Sequence, residues 1–159
     1  MSSRKPDRQD ANAEPLPILR PMLGALLRMP VAQINLHINQ ALHDAGFADI
    51  RPAHQSVFQH LPPEGARSTT LAAAAQMTKQ SMGALVADLV AWGYLERCAD
   101  PGDKRAHIVR RTARGWEVER VARTSLAQLQ AAWAEAIGQE AFAQLYLTLE
   151  KLSELFRSG

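Results

Sequence analysis

Residues 78–115 read TKQSMGALVADLVAWGYLERCADPGDKRAHIVRRTARG, and the way this stretch divides decides the fold. Thr78 stands where a helix N-cap is needed, since its hydroxyl can accept an orphan N–H of the first turn. The spacing then predicts a helix over 79–92. Met82, Leu85, Val86, Leu89 and Val90 recur at three- and four-residue steps and form its inward face. Lys79, Gln80, Gly83, Ala84 and Ala87 lie on the opposite face. Gly93 is placed to end the helix in a left-handed conformation. Two short strands are expected next, over 94–99 and 106–111, joined by Asp100-Pro101-Gly102-Asp103-Lys104-Arg105. Proline and glycine make that segment a turn, and Lys104 and Arg105 give it a basic tip. Thr112 closes the stretch by capping a further helix.

Working outward, residues 68–76 are Ala-rich and predict a short helix. With a tight turn near Met77, this helix and the next form a helix-turn-helix. Residues 52–60 predict another short helix, with Pro52 in its first turn and Pro62-Pro63 beyond its end. Over 18–45 the apolar residues Ile18, Met22, Leu26, Ile34, Ile38 and Leu42 keep helical spacing, and Gly46 is placed to stop the run. Pro30 is expected to kink or divide it, because proline removes a backbone donor. After Thr112, Val118, Val121, Ser125, Leu129, Ala132 and Ala136 form one stripe. Beyond Gly138, Phe142, Leu145, Leu149, Leu152 and Phe156 form another. These stripes are too long for one small winged domain to cover, so a second layer completed by another subunit is expected.

The charge distribution agrees with this division. The chain has 159 residues, 47% hydrophobic and 21% charged, which is the composition of a globular domain with extensions. Its net charge of +2 conceals a gradient. Residues 67–114 hold eight basic side chains against four acidic, and residues 115–159 hold four against six. Everything before residue 67 is balanced. A positive surplus confined to the helix-turn-helix and hairpin is the footprint of a module that binds a polyanion.

Several classes of function are excluded. The lone cysteine, Cys98, allows no intramolecular disulfide and no cysteine-based zinc cluster. Among the five histidines, His37 and His43 share a helix but lie six residues apart, about 240° round it, so no zinc spacing results. No glycine-rich phosphate loop, HExxH or GxSxG occurs, so an enzyme is not expected. Residues 1–14 read as a flexible polar tail and not as a signal peptide. The most apolar stretch, 16–32, carries Arg20, Arg28 and three prolines, which rules out a membrane span. A cytoplasmic protein with no cofactor, metal or membrane partner is expected.

In their order and spacing, Leu71-Ala72, Thr78-Lys79-Gln80-Ser81 and Leu89-Val90-Ala91-Trp92-Gly93-Tyr94-Leu95-Glu96-Arg97 resemble the MarR family of winged helix-turn-helix regulators. Asp100-Pro101-Gly102-Asp103-Lys104-Arg105 and Thr112-Ala113-Arg114-Gly115 continue the resemblance, and Ala45-Gly46-Phe47 with Arg51-Pro52-Ala53-His54 extends it upstream. It spans about residues 18–156. Its most specific piece is Asp-x-Arg at 103–105, followed by Thr112 and Gly115. There is one departure: Arg111 stands where the family pattern has an apolar residue before the threonine.

The resemblance implies a mainly α fold with a small β-hairpin wing. Residues 47–115 would be the winged helix-turn-helix domain. Residues 15–46 and 116–159 would form an intertwined helical dimerisation layer. Each subunit would set its recognition helix in a major groove of double-stranded DNA and its wing along a minor groove. Gln80 can read adenine through its amide, and Lys79 can take a phosphate or guanine. Arg105 suits the negative potential of a narrow minor groove, while Arg67 and Arg97 suit phosphates. Thr78, Ser81 and Lys104 complete the DNA-facing set, and Asp103 is expected to brace the wing by pairing with a nearby arginine. The implied protein is a homodimeric repressor on a pseudo-palindromic operator, released by a small aromatic or phenolic ligand. Arg20, Arg28, His37 and His54 are the candidate ligand anchors. The competing reading is a dimeric ligand-binding or protein-interaction module without DNA-binding activity; the basic surplus and the wing cations count against it.

Overall fold

The computed structural model describes residues 22–156. The elements run in the order α1 (Leu23–Asp44), α2 (Pro52–His60), α3 (Ser68–Ala74), α4 (Lys79–Ala91), β1 (Leu95–Asp100), β2 (Asp103–Arg111), α5 (Ala113–Ile137) and α6 (Gln139–Leu155). The fold is mainly α with a two-stranded antiparallel hairpin. The expected tail and the residues before position 22, Arg20 included, lie outside the described residues.

The inward face read on α4 is the centre of the core. Met82, Val86 and Leu89 have no exposed surface, and Leu85 and Val90 pack against the same cluster. They meet Leu42 of α1, Val57 of α2, Leu71 of α3 and Val118 of α5. Each such side chain contributes about 1.5–3 kcal/mol by leaving water. α1 crosses α5, where the Ser125 hydroxyl donates to the His37 carbonyl at 3.4 Å, and α6 folds back on α5. No helix among the described residues is long and apolar enough to cross a membrane.

The joints that aim α4 are closed by short backbone motifs. Gly93, at φ +76°, ends α4, with Gly93 N–H donating to Val90 O and Tyr94 N–H to Leu89 O. The same pair of bonds ends α3, but there Gln76 holds the left-handed position at φ +53°. α3 therefore stops at Ala74, earlier than the Ala-rich run suggests, because Gln76 belongs to the turn. After β2, Thr112 Oγ1 accepts the Gly115 N–H at 3.1 Å and donates to the Gly93 carbonyl at 2.7 Å. A Cβ at position 115 would collide with the Tyr94 carbonyl oxygen, so only glycine lets the start of α5 sit this close to the end of α4.

One expectation is narrowed and one is corrected. Pro30 does not divide the first helix: α1 runs unbroken from Leu23 to Asp44. The bond that proline removes would use the carbonyl of Leu26, a residue that is 54% exposed. The hairpin turn is also tighter than the segment 100–105. Only Pro101 and Gly102 separate the strands, Asp100 pairs with Asp103, and an irregularity at Ala99/Asp100 absorbs the extra residues of β2.

Candidate nucleic-acid interface

The N-terminal turn of α4 is open. Thr78 caps it, its Oγ1 accepting the Ser81 N–H at 3.1 Å and donating to the Ser81 hydroxyl at 2.8 Å. Lys79, Gln80 and Ser81 are exposed beside this cap, and Ala84 and Ala87 continue the exposed face. Above Gly83 there is space where a side chain would otherwise stand. The face thus carries an amide, an ammonium and a hydroxyl at its leading end and small residues behind them. A helix of that profile can enter a groove as deep as its own backbone allows.

The wing tip is ordered by two carboxylates that each serve two partners. Asp100 Oδ1 accepts the Gly102 N–H at 2.8 Å, and Asp100 Oδ2 accepts Arg67 Nε at 2.6 Å. Asp103 Oδ1 accepts the Arg105 N–H at 3.0 Å, and Asp103 Oδ2 lies 3.5 Å from Arg67 Nη2. The Gly102 N–H and then Arg67 hold the Asp100 carboxyl below its usual range, and Asp100 in turn raises Arg67. Arg67 immediately precedes α3, so the brace ties the wing to the helix-turn-helix. It neutralises part of the acid at the tip, and the exposed Arg105 and Arg97 keep the surface basic.

The elements on either side of α4 are locked. His54 is fully buried, its Nδ1 accepts the Arg51 N–H at 3.1 Å, and its Nε2 lies 3.4 Å from Asp88 of α4. Its ring packs edge-on against Trp92 at 5.0 Å. Beyond Gly93, the buried Tyr94 hydroxyl donates to Asp49 at 2.7 Å and accepts from Arg114 at 3.0 Å. Burial, then the bond to Asp49, pushes this phenol up to about 12.

A cavity of about 330 Å³ lies between α1, α2, the end of β2 and α5. Ile38, Leu42, Phe58, Leu61 and Val118 supply its apolar wall. Its polar groups are Gln55 and Gln59 of α2, Arg111, and Glu119 and Arg123 of α5. Arg111 is buried and ion-paired with Glu119, whose other oxygen lies 2.7 Å from Arg123. Burial lowers the pKa of Arg111 and Glu119 opposes that shift, but a guanidinium stays charged at any working pH.

The structure brings Thr78, Lys79, Gln80 and Ser81 together at the leading end of α4. Asp103 and Arg105 sit at the wing tip, where Lys104 also falls in sequence, and Arg97 is on β1. Arg67 is engaged with Asp100 and Asp103. The candidate ligand anchors do not converge. Arg28 is exposed on α1, His37 is half-buried where α1 meets α5, and His54 has both ring nitrogens engaged beneath α4. None of these three is on the cavity wall. Sequence reading passed over Asp100, Glu119 and Arg123. The one signal available was the charged Arg111 at a strand position that alternation assigns to the core.

Residues 58–106 match the MarR family model. No curated protein matches the chain. Among solved structures, the apo form of wild-type MarR from E. coli aligns with 20% identity and a TM-score of 0.66 over 84% of this chain and 98% of that one. CouR from Rhodococcus jostii RHA1, bound to p-coumaroyl-CoA, aligns with 23% identity and a TM-score of 0.65 over 82% and 91%. CouR as a transcriptional repressor bound to a 23-mer DNA duplex aligns with 21% identity and a TM-score of 0.66 over 83% and 92%. At these identities the likeness is one of fold. Residues 58–106 are thus similar to the MarR family, and the described fold is like that of MarR.

Proposed function

We propose that this chain is a DNA-binding transcriptional regulator, not an enzyme, and that it represses from a pseudo-palindromic operator as a homodimer. The observation that carries this reading is the exposed leading end of α4 beside a wing whose tip is braced and basic. Gln80 and Lys79 would contact base edges or phosphate in the major groove, and Arg105 the minor groove. Thr78 and Ser81 position the start of the helix, and Arg97, with Lys104 as a further DNA-binding candidate by its place in the sequence, would take backbone phosphates. Arg67 and Asp103 hold the wing in place. Such a regulator works where the DNA is, in the cytoplasm.

Residues 47–115 would form the reading head, and 15–46 with 116–159 the dimer layer. The cavity at their junction is the place for a small-molecule effector, its apolar wall suited to an aromatic body and its guanidinium groups to an acidic or phenolic oxygen. An effector that favours a spacing mismatched to the operator would lower affinity by its differential binding to the two states.

Titration of a labelled duplex, selected from random DNA by the purified protein, tests the reading. Binding should tighten as salt falls, with log affinity changing by about 0.9 per phosphate neutralised for each decade of salt. Affinity for every duplex weaker than about 10⁻⁵ M in low salt would overturn it and leave a dimeric ligand-binding or interaction module.

A further inference from the structure

We infer that Arg111 is a latch that ties the wing to α5 and to the cavity wall, so that a cavity occupant acts on the wing through this guanidinium. The inference deepens the proposed function and rests on it only for the consequence at DNA.

Arg111 ends β2, opposite Leu95. Strand alternation sets it on the same inward face as Val109, and both are buried. Where hydrocarbon would continue the core, the side chain carries a planar fork to three other parts of the molecule. Nη2 donates to the Phe58 carbonyl at 2.8 Å, one of the acceptors that the end of α2 leaves open. Nη1 donates to the Pro62 carbonyl at 3.3 Å. Nε lies against Glu119 of α5, and the Trp116 ring covers the guanidinium face with its centroid 4.8 Å away. An ammonium or an apolar side chain could not satisfy acceptors spread in this way.

The loop that Arg111 holds is also fastened to β2. Ala66 and Val109 exchange backbone bonds of 3.1 and 2.9 Å, and Arg110 Nε donates to the Glu64 carbonyl at 2.8 Å. The next residue is Arg67, which braces the wing tip. Loop and hairpin therefore move as one piece, and the Arg111–Glu119 pair joins that piece to α5 at the cavity. Glu119 is shared, because its Oε1 also accepts Arg123 Nε at 2.8 Å. Two guanidinium groups around one carboxylate leave an excess positive charge at this end of the cavity. An occupant bearing an acceptor competes with Glu119 for Arg111. A buried charge must keep a partner, so an occupant that draws Arg111 away takes the place of Glu119 at the guanidinium.

Amide hydrogen exchange of the full chain, read by mass spectrometry over residues 58–66 and β2, tests the latch. Glu119→Gln keeps the shape and removes the charge; exchange in both segments should rise at least about tenfold, because removing one partner of a buried ion pair is strongly destabilising. Glu117→Gln, an exposed carboxylate on the same helix, should leave exchange as in the wild type. Because Glu119→Gln strands a buried cation, the double variant Arg111→Leu/Glu119→Gln removes both charges together. It should melt below the wild type, because the Phe58 and Pro62 carbonyls lose their donor, and its exchange should rise more in β2 and residues 58–66 than in α4. With a duplex selected from random DNA, Glu119→Gln should bind about tenfold more weakly, although Glu119 is away from the reading face. Exchange within about twofold of wild type in both variants overturns the latch. A wild type that binds no duplex overturns the DNA-binding reading instead, and the exchange result still decides the latch.

Discussion

Asp100 sits at the wing's turn with one oxygen on a backbone N–H and the other on Arg67. Both partners favour the ionised form, so its folded pKa lies below 3.8. A depressed carboxylate contributes stability that is complete above its unfolded pKa and lost as pH falls through the folded one. The wing brace should therefore hold at neutral pH and open only below pH 3.8. The Gly102 amide resonance reports it directly: its titration midpoint should lie below 3.8, and Asp100→Asn should abolish the transition. A midpoint at or above 3.8 would remove Arg67 and the turn amide as its cause. Asp103 was readable as a brace because it stands in the Asp-x-Arg pattern. Asp100 was not, because its role depends on a two-residue turn that returns β2 against it, and that register depends on pairing across the whole hairpin.

α4 was the most legible element, since its cap, apolar face and glycine stop are local and agree with one another. The hairpin was less so: Asp103, Lys104 and Arg105 look like loop by composition, yet they belong to β2. Under the proposed function, α4 and the wing should also differ in what they do at DNA. Arg105 is exposed, so Arg105→Ala removes nothing from the core, and its thermal midpoint should match the wild type. Its duplex affinity at fixed salt should fall by about 1–3 kcal/mol, the scale of one groove-reading arginine. Unchanged affinity would take the wing out of the mechanism. The cavity was the least legible feature of the element scale. Its polar groups come from α2, the end of β2 and α5, which only tertiary packing brings together.

Two helices, α1 and α6, expose large apolar side chains that the described residues of a single chain leave uncovered. Met22, Leu23, Leu26, Met29 and Val31 on or beside the first turns of α1 are more than half exposed. On α6 and just after it, Tyr146, Leu147, Leu155 and Phe156 are exposed to at least 50%, and α6 buries none of its residues. Isolated apolar residues on a surface need no explanation, but two long helices exposing them in stripes do. Of these, Met22, Leu26 and Phe156 belong to the stripes expected from sequence, whereas Ile38 and Leu42 of the first stripe are buried in the chain's own core; a twofold interface is the proposed cover. Obligate interfaces of this kind bury more than about 2,000 Å² in total. Removing everything after Ile137 deletes α6 and leaves α1 without its expected cover. Light scattering should then find the full chain dimeric and the truncated chain monomeric or aggregated, with increased binding of an apolar dye. Operator affinity should fall with it, because two recognition helices held about 34 Å apart bind adjacent half-sites as one unit and a single helix does not. The reading head itself should survive, since the core around α4 draws on α1–α5 and takes nothing from α6. A truncated chain that stays a stable dimer would show that α6 is not the dimerisation element, and α1 with α5 would have to carry the interface.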